Sequence, residues 1–175
     1  MAYTKRIKLV VVMVCAGLLA VIVPMLLTNS SVAALSATQQ GAISQNCATI
    51  KQSLEQLQRS DSRTRTYLGA TYETLANKFI VPLNLRLVKN NLPTLSDIQA
   101  EFTNGQTGFK DAYTEYMKSL GELIAADCKT QPDEFYDKLE VTRKKREILQ
   151  KTTESLSELT DRQYDATKSL LETLK

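Results

Sequence analysis

Two cysteines offer the most clearly defined chemistry in this sequence. Cys47 and Cys128 are the only cysteines after the apolar N-terminal run, so oxidation would join them in one intramolecular disulfide. If one helix rises from Cys47 to Ile80 and the next returns from Ser96 to Cys128, arms of 33 and 32 residues bring both sulfurs to the same level. We therefore predict a disulfide that closes one end of a helical hairpin. Two free thiols and an intermolecular bridge are the alternatives.

Two groups of side chains are candidates for contact with an anion or an acidic partner. The first group is Arg63, Arg65 and the nearby Tyr67, and the second is the charge run Arg143, Lys144, Lys145 and Arg146. The first group lies in a polar interval around Asp61, where an exposed face and a buried polar layer are the alternatives. Four consecutive helical residues point around the whole cylinder, so a solvated face is the simplest interpretation of the second group.

The composition gives little support to catalysis or metal binding. The sequence contains no histidine and therefore lacks the commonest general base and the commonest metal ligand. Metal-ligand spacings, a phosphate-binding glycine loop and a nucleophile motif are also missing from the sequence. We expect no enzymatic activity, no cofactor and no metal.

The charge balance argues against nucleic acid as a partner. The chain has 22 Lys+Arg and 19 Asp+Glu, a net charge of +3, and Lys5, Arg6 and Lys8 account for this excess. The remaining sequence is neutral overall, whereas a protein that binds nucleic acid needs basic residues to neutralise phosphates.

The apolar N-terminal run predicts the compartment. As a helix, residues 9–27 would rise about 28 Å, which is close to the hydrocarbon thickness of a bilayer. Because residues 1–8 carry the flanking positive charge, we expect them in the cytoplasm and the C-terminal domain outside, with 9–27 as a single-pass anchor in the bilayer. Alternatively, 9–27 is the core of a signal peptide that is cleaved near Ala33–Ala37, and the rest is secreted. In either interpretation residues 28–37 are a small, polar linker.

Residues 38–175 predict an all-α, elongated antiparallel bundle of three to four helices. The first helix has a heptad seam whose members are Ile43, Cys47, Ile50, Leu54 and Leu57. We expect this helix to end near Ile80 and a short helix to begin at Pro82. A third helix should run to about Cys128, with a kink or loosened turn near Gly105 and Gly108. A last helix, with Pro132 in its first turn, should extend to the C-terminus.

These features favour a non-catalytic role outside the cytoplasmic membrane. We expect an anchored scaffold or interaction module that presents helix faces to a protein partner or to copies of itself. A ligand-sensing helical bundle and a secreted binding protein are the alternatives.

Overall fold

The computed structural model describes residues 35–173, and all of the regular secondary structure in that part of the chain is helical. Its elements are α1 (Ala37–Gln45), α2 (Cys47–Leu75), a π-helical turn (Ala76–Ile80), α3 (Val81–Lys89), α4 (Ser96–Ala125) and α5 (Pro132–Thr173). The all-α prediction and the helical bundle are confirmed. The predicted anchor or signal over 9–27 and most of the 28–37 linker lie outside the described residues. None of the helices within 35–173 is both long and apolar enough to cross a bilayer.

The first arm of the bundle is longer than predicted because the chain passes from α2 into α3 without a break. The only turn in this arm is at Asn46, between α1 and α2. The π-helical turn Ala76–Ile80 lies directly before α3, and Pro82 is the second residue of α3. A proline ring in a regular helix meets the carbonyl group four residues earlier, and a widened turn accommodates it. The predicted end of the helix at Ile80 is therefore wrong.

The start of α1 carries a capping signal. The Ser36 hydroxyl accepts a hydrogen bond from the backbone N–H of Gln39, and the Gln39 side chain accepts one from the backbone N–H of Ser36. This reciprocal pair satisfies two donors that would otherwise have no partner at a helix N-terminus.

Gly105 lets α4 and α5 pack close together, and the loosened turn that we expected near Gly105 and Gly108 is absent from α4. Helix α4 is continuous through Gly105 and Gly108. A Cβ atom at Gly105 would lie 2.9 Å from Leu156 Cδ2 and 3.3 Å from Leu159 Cδ1. Without a side chain, Gly105 leaves room for both leucines, so the residue serves close packing of the two helices.

The core lies between the three long helices. Its almost fully buried members are Ile80, Phe102, Phe109, Tyr116, Leu120, Leu123, Cys128, Phe135, Leu149 and Leu156. The predicted seam contributes Ile43, Cys47, Ile50 and Leu54, which are partly buried against this core. Helix α2 therefore covers the α4–α5 pair with a narrow stripe, as a heptad pattern predicts.

Candidate binding groove

The predicted Cys47–Cys128 disulfide is present and closes one end of the bundle. Its Cα atoms are 5.5 Å apart, and it spans a sequence separation of 81. Asp127 organises the adjacent turn, because its carboxylate accepts hydrogen bonds from the backbone N–H groups of Lys129 and Thr130 and from the Thr130 hydroxyl. These bonds hold the pKa of the Asp127 carboxyl below its usual range.

The polar interval of α2 forms a polar layer in the middle of the bundle. The Asp61 side chain is only 14% exposed. It accepts a hydrogen bond of 2.7 Å from the Tyr116 hydroxyl and one of 3.2 Å from Arg146 Nε. Burial, with the neighbouring Asp61 carboxylate, raises the pKa of Tyr116. Asp61 therefore connects α2 to both α4 and α5 at one level of the bundle.

The structure brings together three of the predicted anion-contact residues. Arg65, Arg143 and Arg146 flank a shallow depression of about 340 Å³ that Glu147 and Gln150 also line. Each of these arginines already has a partner in the chain.

Arg65 donates to the Thr153 hydroxyl at 2.9 Å, and Arg143 donates to Glu140 at 2.6 Å. Arg146 is paired with Asp61. An incoming anion would therefore compete with interactions that these guanidinium groups already make.

The other candidate residues lie apart from this depression. Arg63 and Lys144 are exposed, and Tyr67 is 72% exposed on α2. Lys145 pairs with Glu115 of α4 at 3.1 Å. Anion or partner contact by the two groups stays a prediction.

A groove at the opposite end of the bundle has the features of a binding site. It encloses about 480 Å³ between α5 on one side and the π-helical turn with α3 on the other. Its lining consists of Leu75, Lys78, Phe79, Ile80, Pro82, Leu83, Arg86, Thr160, Gln163, Tyr164 and Thr167. This volume is within the range of small-molecule pockets. From Cys47 to Leu75 the helix rises about 42 Å, so the groove and the disulfide are far apart.

Two exposed aromatic residues form the rims of this groove. Phe79 in the π-helical turn is 63% exposed, and Tyr164 on α5 is 69% exposed. The π-helical turn inserts an extra residue into the helix and thereby changes the direction of the side chains that follow it, and such turns are frequent at functional sites. The Phe79 side chain is therefore exposed, whereas the next residue, Ile80, is on the buried face of the helix.

Gln163 carries an unpartnered acceptor on the α5 wall. The residue is 6% exposed, and its Oε1 atom accepts no hydrogen bond within the described part of the chain. Thr167 shows which terminal atom of the Gln163 side chain is the oxygen and which is the nitrogen. The Thr167 hydroxyl donates to the Gln163 backbone carbonyl at 2.7 Å. Because this hydroxyl already donates its proton, it can only accept a hydrogen bond from the Gln163 side chain. The side-chain atom 3.2 Å from it must therefore be the donor Nε2. Leaving Oε1 without a donor costs about 1–3 kcal/mol.

The charges in the groove have a single sign. Lys78 and Arg86 are its only charged lining residues. Neither forms an ion pair with another residue between 35 and 173. The groove therefore combines an apolar floor with two cations.

Our sequence analysis did not find this groove, although α5 contains a signal for it. Leu149, Leu156 and Leu170 recur at intervals of seven residues, and Gln163 occupies the missing seam position. A polar residue in a heptad seam is unusual. The second wall depends on the π-helical turn that accommodates Pro82, and we had interpreted Pro82 as the start of a separate helix.

No protein-family model matches this chain, and neither the curated proteins nor the solved structures contain a match to it.

Proposed function

We propose that this chain is a non-catalytic binding module that works outside the cytoplasmic membrane, and that the groove between α3 and α5 is its binding site. The observation that carries this proposal is an apolar groove of about 480 Å³ whose only charged lining residues, Lys78 and Arg86, form no ion pair within residues 35–173. Sites for small ligands combine an apolar surface with a few polar groups that orient the ligand. Of the roles considered from the sequence, a ligand-binding bundle agrees best with this geometry.

Two features support a location outside the cytoplasm. Disulfides persist in oxidising compartments, and Cys47 and Cys128 are bonded. The basic residues before the apolar run favour export of the C-terminal domain, with residues 9–27 as its anchor in the bilayer. Mass spectrometry of the protein from the membrane fraction tests the anchor. A mature chain that begins between Ala34 and Thr38 would show that the run is a cleaved signal.

A neutral fluorescent probe tests the binding site. Anilinonaphthalene has an apolar ring system and one N–H donor, and its emission rises in an apolar environment. We expect one molecule to bind per chain, and Phe79→Ser to weaken this binding about tenfold because it removes one rim. Ile148→Ser is the matched control, since Ile148 is also an exposed apolar residue but does not line the groove. Equal binding by both variants would contradict the assignment of the groove.

A second candidate function, a scaffold that associates through helix faces, is supported by the outer side of α3. Leu85 and Val88 are 66% and 60% exposed, and they share a face with the partly buried Val81. Exposed apolar stripes of this kind are typical of protein interfaces. Light scattering during size-exclusion chromatography tests it: a dimer that becomes monomeric in Leu85→Ser would support self-association through this stripe, and a monomeric wild type would contradict it.

A further inference from the structure

We infer that the natural ligand of the groove is a small anionic amphiphile, with an apolar body and one acidic group. This inference rests on the proposed function of the groove and specifies the chemistry of its ligand. Two independent features of the groove carry it: the apolar floor and the two cations of the wall that the π-helical turn and α3 form.

The apolar body follows from the floor of the groove. Leu75, Ile80, Pro82 and Leu83 contribute hydrocarbon surface, and the rings of Phe79 and Tyr164 stand on either side. Covering this surface would remove it from water at about 25 cal/mol for each Å². Aromatic rims on opposite walls suit a flat or elongated hydrophobic ligand.

The acidic group follows from the charges on the wall that the π-helical turn and α3 form. Lys78 and Arg86 lie on the same helical segment, on either side of Pro82 and Leu83, and no carboxylate lines the groove. Their positive charge is not neutralised by an ion pair within the described residues, unlike that of Arg143, Lys145 and Arg146. A carboxylate, sulfonate or phosphate on the ligand would complement it.

Two probes that differ by one charge test this inference. Anilinonaphthalene and anilinonaphthalene sulfonate share the ring system and the N–H donor, and the sulfonate isomer is chosen with its acidic group on the ring remote from the N–H. We expect the sulfonate to bind about tenfold more tightly at low ionic strength, and added salt to reduce this preference.

A variant that lacks both cations tests the charge contact. Lys78→Met with Arg86→Met keeps the aliphatic stems and should abolish the preference for the sulfonate, while the affinity for the neutral probe changes by less than about twofold. The matched control is Lys110→Met with Lys144→Met, because both lysines are exposed and neither lines the groove.

The possible results distinguish the inference from the proposed function. If neither probe binds, the binding site itself is wrong. If both probes bind with equal affinity and the variant that lacks Lys78 and Arg86 behaves like the control, the groove is a binding site but its preference for an anion is refuted. A concentration-dependent dimer that is lost in Phe79→Ser would show that a second copy of the chain covers the groove, and would refute a small ligand.

Discussion

The two ends of the bundle differ in how completely their apolar side chains are buried and their polar groups are hydrogen-bonded. Near the disulfide, Leu123, Cys128 and Phe135 are almost fully buried, and Asp127 satisfies the N–H groups of the turn. At the groove end, Phe79 and Tyr164 are mostly exposed and Gln163 Oε1 is buried without a donor. Binding sites are commonly retained at some cost in stability. The comparison therefore agrees with our proposal that the groove end binds a ligand, whereas the disulfide end and the middle contribute most to stability.

Removal of the disulfide should cause the largest loss of stability at either end of the bundle. Replacing both Cys47 and Cys128 with alanine frees a loop whose ends are 81 residues apart, which should lower the free energy of unfolding by about 4.5 kcal/mol in the chain-entropy treatment. Urea unfolding followed by circular dichroism measures the loss. The folded fraction of the variant should still bind anilinonaphthalene with unchanged affinity, because the groove lies about 42 Å away. Loss of probe binding before unfolding would show that the two ends are coupled.

Substitution of Tyr116 should give the next largest loss of stability, because its buried hydroxyl is hydrogen-bonded in the middle of the bundle. Tyr116→Phe removes the hydroxyl that donates to Asp61 at 2.7 Å, and we expect a loss of about 2 kcal/mol. Ser157→Ala, at an exposed position of α5, is a control that should change stability little.

The same variant should also change the alkaline stability of the protein. Burial raises the pKa of Tyr116 above its ordinary value of 10.0, so the folded state holds this proton longer than the unfolded state. The contribution of Tyr116 is therefore fully present below pH 10 and is lost as the pH rises from there toward the folded-state pKa. We expect the unfolding free energy of Tyr116→Phe to fall less steeply than that of the wild type between pH 10 and about pH 11. Parallel curves would contradict this assignment.

Two glycines of α4 test how closely the middle of the bundle is packed. Gly105→Ala places a methyl group 2.9 Å from Leu156 Cδ2, and the cost of overpacking exceeds the gain in helix propensity. We expect a net loss of about 1 kcal/mol. Gly121→Ala meets no atom within 4 Å and should stabilise the same helix by about 0.5–1 kcal/mol. Thermal or urea unfolding of the two variants compares the cost of overpacking with the gain in helix propensity. Stabilisation of both variants would refute close packing at Gly105.

The sequence predicted those parts of the fold that depend on periodicity and on pairs of residues. The seam through Ile50 and Leu54 predicted the partly buried stripe of α2, and equal arm lengths predicted the Cys47–Cys128 bond. The close packing at Gly105 was not predicted because helix propensity is a local property, whereas the approach of Leu156 is a tertiary contact.

The groove could not be predicted from the sequence for a similar reason. Pro82 predicted the start of a helix, but a proline can also lie within a continuous helix that widens by one turn before it, and the sequence position does not distinguish the two. The polar seam position Gln163 was visible in the sequence. Its missing hydrogen-bond donor could be recognised only once the neighbouring side chains had been placed.

Gln163→Met gives the smallest expected change in stability and tests the comparison most directly. In a site shaped only by folding, truncating a buried polar residue lowers stability. Replacing the amide with a thioether of similar size removes the Oε1 acceptor that has no donor, and it also removes the hydrogen bond from Nε2 to Thr167. Because these two effects oppose each other, the unfolding free energy should stay unchanged or rise by up to about 1 kcal/mol. Tyr116→Phe, which removes a satisfied group of the middle layer, should lower it. If Gln163→Met destabilised the protein as much as Tyr116→Phe does, Gln163 would be a structural residue like those of the middle layer, and the contrast between the two regions would be lost.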